Sequence, residues 1–147
     1  MEASENSAPG DPGSGEPGSA EPGSLECDSA EAARLIEAGI RLIDVRSAHE
    51  FETARIPGAE RIGLEELSAR RDELDRDRPV LFYCRVGNRS LMAAGAFASA
   101  GYDATSLAGG IEAWLGEGRA IDPEDGYVAE PGRAASILEA RAKAASG

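Results

Sequence analysis

The stretch that decides the fold is Cys84-Arg85-Val86-Gly87-Asn88-Arg89-Ser90, which directly follows the apolar run Val80-Leu81-Phe82-Tyr83. The next segment, residues 91–98, consists of small and apolar side chains and predicts a helix. A thiol therefore stands between a strand and a helix. Backbone N–H groups of the loop and the positive end of the helix dipole then face the sulfur and favour its thiolate form. We interpret this loop as an anion-binding cradle with a nucleophile at its base.

Strands and helices alternate outward from this loop. On its N-terminal side, a helix capped by Asp28, with Glu31 at the third position, precedes the apolar strand 41–46. On its C-terminal side, the strand 104–107 precedes an element whose residue Trp114 is predicted to lie in the core. The alternation predicts an α/β fold with a mostly parallel sheet. Ligands bind such sheets beyond the carboxyl ends of strands, and Cys84 lies at one such end.

Two segments between these elements have weaker patterns. Residues 47–59 are predicted as a long loop that ends in the turn signal Ile56-Pro57-Gly58-Ala59. Residues 64–74 have leucines on one side and charges on the other, so they are predicted as an amphipathic helix.

The chain divides into three parts. Residues 1–24 repeat Glu-Pro-Gly-Ser, which offers no apolar side chain to bury, so they are predicted as a disordered acidic leader. Residues 25–120 are predicted as the folded domain. Residues 121–147 are predicted as a C-terminal extension that includes an Ala-rich helix near 133–144.

Charge and composition exclude several classes of function. The net charge is −12, and residues 1–31 contain eight acidic and no basic residues, which leaves −4 for the rest. This balance argues against nucleic-acid and anionic-membrane partners. No apolar run approaches the roughly 20 residues of a membrane span, and the N-terminus lacks the features of a signal peptide. We expect a soluble cytoplasmic protein.

Few residues other than Cys84 are candidates for chemistry. Two cysteines and one histidine are too few for a His/Cys zinc site, and we expect neither a metal nor a cofactor. Cys27 falls on the first strand and is interpreted as an ordinary strand residue rather than a second redox cysteine. His49 is interpreted as a surface residue, not a general base. Asp44 interrupts an apolar strand, so we expect it to pair with an arginine or to cap a loop.

Three segments together resemble the rhodanese (thiosulfate sulfurtransferase) family, in the family's order and over residues 25–118. They are Leu42–Arg46 with Glu50-Phe51 and Ile56–Ala59, then Tyr83–Ser90, then Leu107–Trp114. The resemblance implies a single domain with a central, mostly parallel five-stranded sheet and helices on both faces. One departure is Ala54-Arg55, where the family often has Gly-His.

The resemblance also implies a sulfurtransferase that works through a persulfide on Cys84. The thiolate would take the outer sulfur of a small-molecule donor such as thiosulfate and pass it to cyanide, a thiol or a sulfur-carrier protein. The substrate-binding residues are expected to be Arg85, Val86, Gly87, Asn88, Arg89 and Ser90. Their N–H groups would stabilise the anion, and the two arginines would offer forked donors to sulfonate oxygens. Asp44 and Arg46 are assigned a supporting role, as an ion pair around the loop.

Three alternatives remain open from the sequence. Phosphatases and arsenate reductases of related type use Cys-x5-Arg, whereas this chain has Cys-x4-Arg between Cys84 and Arg89, a tighter loop that suits a sulfur better than a phosphate. A non-catalytic rhodanese-like binding module is the second alternative, although many such modules lack the loop cysteine. The third is a persulfide carrier for a dedicated partner, for which thiosulfate is only a surrogate.

Overall fold

A computed structural model of the chain describes residues 25–129 and Leu138. The predicted leader, residues 1–24, lies outside the described residues. So does the predicted helix near 133–144, except for Leu138, which is helical.

Five parallel strands form a single sheet. In chain order they are β1 (Glu26–Cys27), β2 (Arg41–Asp44), β3 (Glu60–Arg61), β4 (Val80–Tyr83) and β5 (Ala104–Leu107). Their order across the sheet is β1-β5-β4-β2-β3, and every neighbouring pair is parallel. β4 is therefore the central strand, which explains its uninterrupted apolar sequence. The predicted mostly parallel five-stranded sheet is confirmed.

Helices cover both faces of this sheet, as predicted. They are α1 (Ser29–Glu37), α2 (Ala48–Thr53), α3 (Asn88–Ser99) and α4 (Gly110–Gly116). Alternate residues of β4 point to opposite faces, so they enter two different cores. Phe82 packs on the α3 side, where its ring lies 5.4 Å from that of Phe97. Tyr83 packs on the opposite side with Trp114 of α4, which is buried as predicted.

The predicted start of α1 is confirmed. The Asp28 side chain caps the helix by accepting a 2.9 Å hydrogen bond from the backbone N–H of Glu31. This bond satisfies one of the N–H groups that a helix start leaves unpaired. Ala32 of the same helix is fully buried against the sheet.

Two local predictions are wrong. The segment 47–59 is not only a loop, because it contains α2, which starts with a reciprocal capping box between Ser47 and Glu50. The segment 64–74 is not one helix but two 3-10 turns, Leu64–Glu66 and Arg71–Glu73. Its leucines still meet the core, yet the backbone N–H of Leu64 bonds to the carbonyl of Val45, which ties the segment to the sheet. Tertiary contacts of this kind override a leucine pattern over so short a segment.

Residues 121–129 pack against the rest of the domain. Ile121 and Ala129 are buried, and Asp122 forms a bridge with Arg55 just after α2. Among the described residues, no helix combines the length and the apolar character needed to cross a bilayer.

Candidate active site

The cysteine loop lies at the carboxyl end of the central strand. Cys84 directly follows β4, and α3 begins four residues later at Asn88. The chain turns through Gly87, whose φ of 104° is in the left-handed region that favours glycine. The loop therefore curls back over the sulfur before the helix starts.

Three hydrogen-bond donors surround the Cys84 sulfur. The backbone N–H of Gly87 lies 3.1 Å from Sγ, the N–H of Ser90 3.4 Å and the Ser90 hydroxyl 3.5 Å. Cys84 itself is 1% exposed. Donors fixed around a water-excluded sulfur stabilise negative charge there. The predicted cradle thus places two of its loop residues, Gly87 and Ser90, directly at the sulfur.

Ser106 is a member of the site that the sequence analysis missed. Its hydroxyl on β5 lies 2.8 Å from the hydroxyl of Ser90, and both residues are fully buried. Either hydroxyl can donate in this contact; when Ser106 donates, the Ser90 hydroxyl keeps its own proton for the Cys84 sulfur. The only signal in the sequence was a polar residue near the end of the strand next to β4.

The start of α4 is hydrogen-bonded to the first residues of the cysteine loop. The N–H of Ile111 donates to the Cys84 carbonyl at 2.9 Å, and the N–H of Glu112 donates to the Arg85 carbonyl at 3.1 Å. Gly110 lies so close to these two carbonyls that a Cβ at its position would overlap them. Part of the Leu107–Trp114 segment, which the sequence analysis singled out for its resemblance to the family, therefore packs directly against the backbone of the cysteine loop.

Replacing Gly110 with alanine is expected to destabilise the protein by about 2–4 kcal/mol, because it adds a backbone clash to a left-handed φ of 62°. Urea denaturation measures the change. Gly118→Ala is a matched control, since Gly118 has a φ of 79° but open space around it, and it should cost only the strain of about 1 kcal/mol. Equal losses in the two variants would contradict the close-contact role of Gly110.

Both loop arginines form ion pairs. Arg85 pairs with Glu112 of α4, and Arg89 pairs through two N–H groups with Glu50 of α2, at 3.1 and 3.0 Å. Burial alone would raise the pKa of the Glu50 carboxyl, but donation from Arg89 and Ser47 outweighs it and lowers the pKa. The expected contacts of these arginines with a sulfonate remain a prediction. Val86 and Asn88, the other two predicted substrate-binding residues, are exposed.

Asp44 and Arg46 form a buried ion pair with each other. Nε and Nη2 of Arg46 donate to the two carboxylate oxygens at 2.6–3.0 Å, and both side chains are fully buried. Nη2 also donates to the carbonyl of Ala54, and the guanidinium lies over the ring of Tyr83. The expectation that Asp44 pairs with an arginine is confirmed. The pair joins the end of β2 to the segment that follows α2.

Cys27 lies on β1, as predicted, and is buried. Burial, and next to it the charge of Glu31, raises the pKa of its thiol to about 12. The protonated thiol is a poor nucleophile, so the interpretation of Cys27 as an ordinary strand residue fits the structure better than a redox role.

In a Cys84→Ser background, iodoacetamide is expected to label Cys27 at pH 8 at least about 10³-fold more slowly than free cysteine, because so little thiolate is present. The rate should rise about tenfold per pH unit up to pH 10. Mass spectrometry of the labelled peptide measures it. Labelling in urea is the control and should approach the free-cysteine rate. Rapid labelling of the folded protein at pH 8 would revive the second-redox-cysteine hypothesis.

His49 and the possible metal ligands of the described residues lie outside the cysteine loop's donor set. His49 is exposed on α2 rather than in a loop. Within the part of the chain that the structure describes, no group of three or more His, Cys, Asp and Glu side chains could hold a metal ion.

Comparison with known proteins identifies the family of the chain. The sequence model of the rhodanese-like domain family matches residues 28–117, and the chain belongs to this family. The chain is 40% identical over 78 residues to the uncharacterized protein YqhL of Bacillus subtilis, covering 52% of this chain and 62% of YqhL, less than two thirds of that relative. It is 34% identical over 88 residues to a sulfurtransferase of Allochromatium vinosum, covering 59% of this chain and 82% of that one.

Two further similarities concern a named enzyme and a solved structure. The thiosulfate sulfurtransferase GlpE of Pseudomonas aeruginosa is 32% identical over 96 residues, covering 65% of this chain and 84% of GlpE. The crystal structure of a rhodanese-related protein from Thermoplasma volcanium has a TM-score of 0.59 and 30% identity, covering 65% of this chain and 95% of that one.

Proposed function

We propose that this protein is a sulfurtransferase that moves a sulfane sulfur from thiosulfate, or a similar donor, to a thiophilic acceptor through a persulfide on Cys84. The observation that carries the proposal is the set of three donors around Sγ, from Gly87 N–H, Ser90 N–H and the Ser90 hydroxyl. They stabilise a sulfur anion without a general base or a metal. The names of the relatives from Allochromatium and Pseudomonas support the same class of reaction.

In the first step, the Cys84 thiolate attacks the outer sulfur of thiosulfate. A new S–S bond forms to Cys84, the old S–S bond breaks, and its electron pair leaves with sulfite. The enzyme then holds a persulfide anion, which carries the single negative charge of the former thiolate. The two negative charges of thiosulfate leave on sulfite. The loop residues from Arg85 to Ser90 would bind the transferred sulfur mainly through their N–H groups.

In the second step, a nucleophilic acceptor attacks the outer persulfide sulfur. Cyanide would form thiocyanate, and a thiolate would form a new persulfide. In each case the Cys84 thiolate leaves with the bonding electron pair and is regenerated. A small thiol or a sulfur-carrier protein is the proposed acceptor in the cell. A reducing, cytoplasmic setting belongs to the proposal, because Cys84 must stay a free thiol.

The loop length favours sulfur transfer over phosphoryl transfer. Four residues separate Cys84 from Arg89, and the resulting turn directs Gly87 and Ser90 N–H groups at one sulfur atom. Arg89 is paired with Glu50 through two hydrogen bonds, so its guanidinium is already engaged by a carboxylate. A binding module without catalysis has no evident use for an intact donor set around a buried thiol.

Intact-mass spectrometry after incubation with thiosulfate tests the proposal. We expect a gain of one sulfur atom, located by peptide mapping on Cys84 and not on Cys27, and its loss on addition of cyanide with release of thiocyanate. Aryl phosphate hydrolysis is measured in parallel and should be negligible. Robust phosphatase activity without a sulfur adduct would overturn the proposal.

A further inference from the structure

The Glu50 carboxylate is held firmly by its own helix. Its side chain is 1% exposed, and its Oε1 accepts hydrogen bonds from the Ser47 N–H and the Ser47 hydroxyl, both at 3.1 Å. The Glu50 N–H in turn donates to the Ser47 hydroxyl at 3.2 Å. This capping box fixes the position of the carboxylate before any contact with the cysteine loop is considered.

The Arg89 guanidinium makes a bidentate contact with this carboxylate. Nη1 donates to Oε1 at 3.1 Å and Nη2 to Oε2 at 3.0 Å. Such a two-point contact fixes the orientation of the guanidinium as well as its distance. The lowered pKa of Glu50 agrees with an ionised pair.

The Glu50–Arg89 ion pair is directly connected to the turn that contacts the Cys84 sulfur. Arg89 precedes Ser90 in the first turn of α3, and the Ser90 N–H and hydroxyl both face the Cys84 sulfur. The Gly87 carbonyl accepts a hydrogen bond from the Leu91 N–H, and the Ser90 hydroxyl lies 3.3 Å from the same carbonyl, so this turn is held together as one unit. An anchor on Arg89 therefore fixes the donors that hold the sulfur.

The two loop arginines differ in how easily they can leave their partners. If Arg89, whose side chain is 31% exposed, turned towards a donor, the Glu50 carboxylate, which is 1% exposed, would lose the cation that it pairs with, and this loss is strongly unfavourable. Arg85 pairs with Glu112, whose side chain is 45% exposed, so water can replace the arginine there at little cost. Arg85 is thus available to a donor anion and Arg89 is not.

We propose that Glu50 is a positioning residue for sulfur transfer: through Arg89 it holds the Gly87–Ser90 turn against Cys84, and Arg89 does not bind the donor. This inference rests on the proposed function. It differs from the contact expected from the sequence, in which the Arg89 fork binds the sulfonate.

The test compares Glu50→Gln, Arg89→Gln and the double variant, with Glu73→Gln as the control on an exposed ion pair, that with Arg70, away from the cysteine loop. Steady-state rates are measured with thiosulfate and with a small organic persulfide, which has no sulfonate oxygens. We expect kcat to fall about 10- to 100-fold in both single variants with both donors, and KM to change less than about twofold. The double variant should be no slower than either single one. Glu73→Gln should keep the wild-type kcat within about twofold.

Circular dichroism and thermal unfolding establish that each variant is folded. If Glu50→Gln does not fold, Arg89→Lys is used in its place to weaken the same ion pair. Lysine keeps the charge but not the fork, so its kcat should lie between those of wild type and Arg89→Gln. A rise in KM confined to thiosulfate in Arg89→Gln, or a lower KM in Glu50→Gln, would show that Arg89 binds the donor and would overturn the inference. Unchanged kcat values would overturn it as well. A wild-type protein that forms no adduct would instead overturn the proposed function.

Discussion

A Cys84→Ser variant is expected to lose sulfur transfer by at least about 10⁴-fold, measured as thiocyanate released from thiosulfate and cyanide. The hydroxyl of serine is not ionised near neutral pH and forms no persulfide, so both half-reactions lose their covalent intermediate. The donors from Gly87 and Ser90 would remain, but they would surround a group that cannot accept sulfur. Intact mass after thiosulfate should show no added sulfur atom.

Cys27→Ser is the control for this experiment. Cys27 lies on edge strand β1, and its pKa of about 12 leaves almost no thiolate at neutral pH. Its replacement should keep the rate within about twofold, at a stability cost of about 1–3 kcal/mol for a buried hydroxyl. If Cys84→Ser kept sulfur transfer and Cys27→Ser lost it, the nucleophile would be Cys27, which would contradict the site described above.

Replacing Asp44 with alanine is expected to destabilise the domain by about 3–5 kcal/mol, measured by urea denaturation. The reason is the Arg46 guanidinium, which is fully buried and would lose the carboxylate that accepts its hydrogen bonds. Water cannot reach the site to replace the lost partner. A loss of this size would leave a small domain of ordinary stability close to unfolding at room temperature.

Two comparisons make this prediction specific to burial. Glu73→Ala breaks the pair between Glu73 and Arg70, whose side chains are 46% and 39% exposed, and should cost far less stability than Asp44→Ala, because water and salt screen an exposed pair. Adding Arg46→Met to Asp44→Ala should recover much of the loss, because it removes the buried charge that lacks a partner. Equal costs for Asp44→Ala and Glu73→Ala, or no recovery in the double variant, would contradict the account.

The central part of the fold follows from local patterns. The apolar run before Cys84 predicts a strand covered on both faces, and β4 is indeed the middle strand of the sheet. Asp28 before a helical pattern predicts the cap that the structure shows. These predictions succeed because they depend on periodicity and on hydrogen bonds between near neighbours in the chain.

The segments around the centre were harder to predict. The helix α2 was missed because six residues without an apolar stripe carry little periodic signal, although Ser47 and Glu50 have the spacing of a capping box. The leucines of residues 64–74 suggested one helix, but the backbone N–H of Leu64 bonds to the Val45 carbonyl and the segment forms two 3-10 turns.

The sequence by itself determined the strand-loop-helix that carries Cys84, the candidate nucleophile, and it predicted that Asp44 pairs with an arginine or caps a loop. Only the tertiary structure decided what surrounds the sulfur. It brings Ser106 to Ser90 from a neighbouring strand, Ile111 and Glu112 to the base of the loop, and Glu50 to Arg89 across 39 residues of chain. The physical reason is that these contacts join residues far apart in the chain. The spacing of residues in the sequence does not reveal these contacts, because they depend on the order of the strands in the sheet.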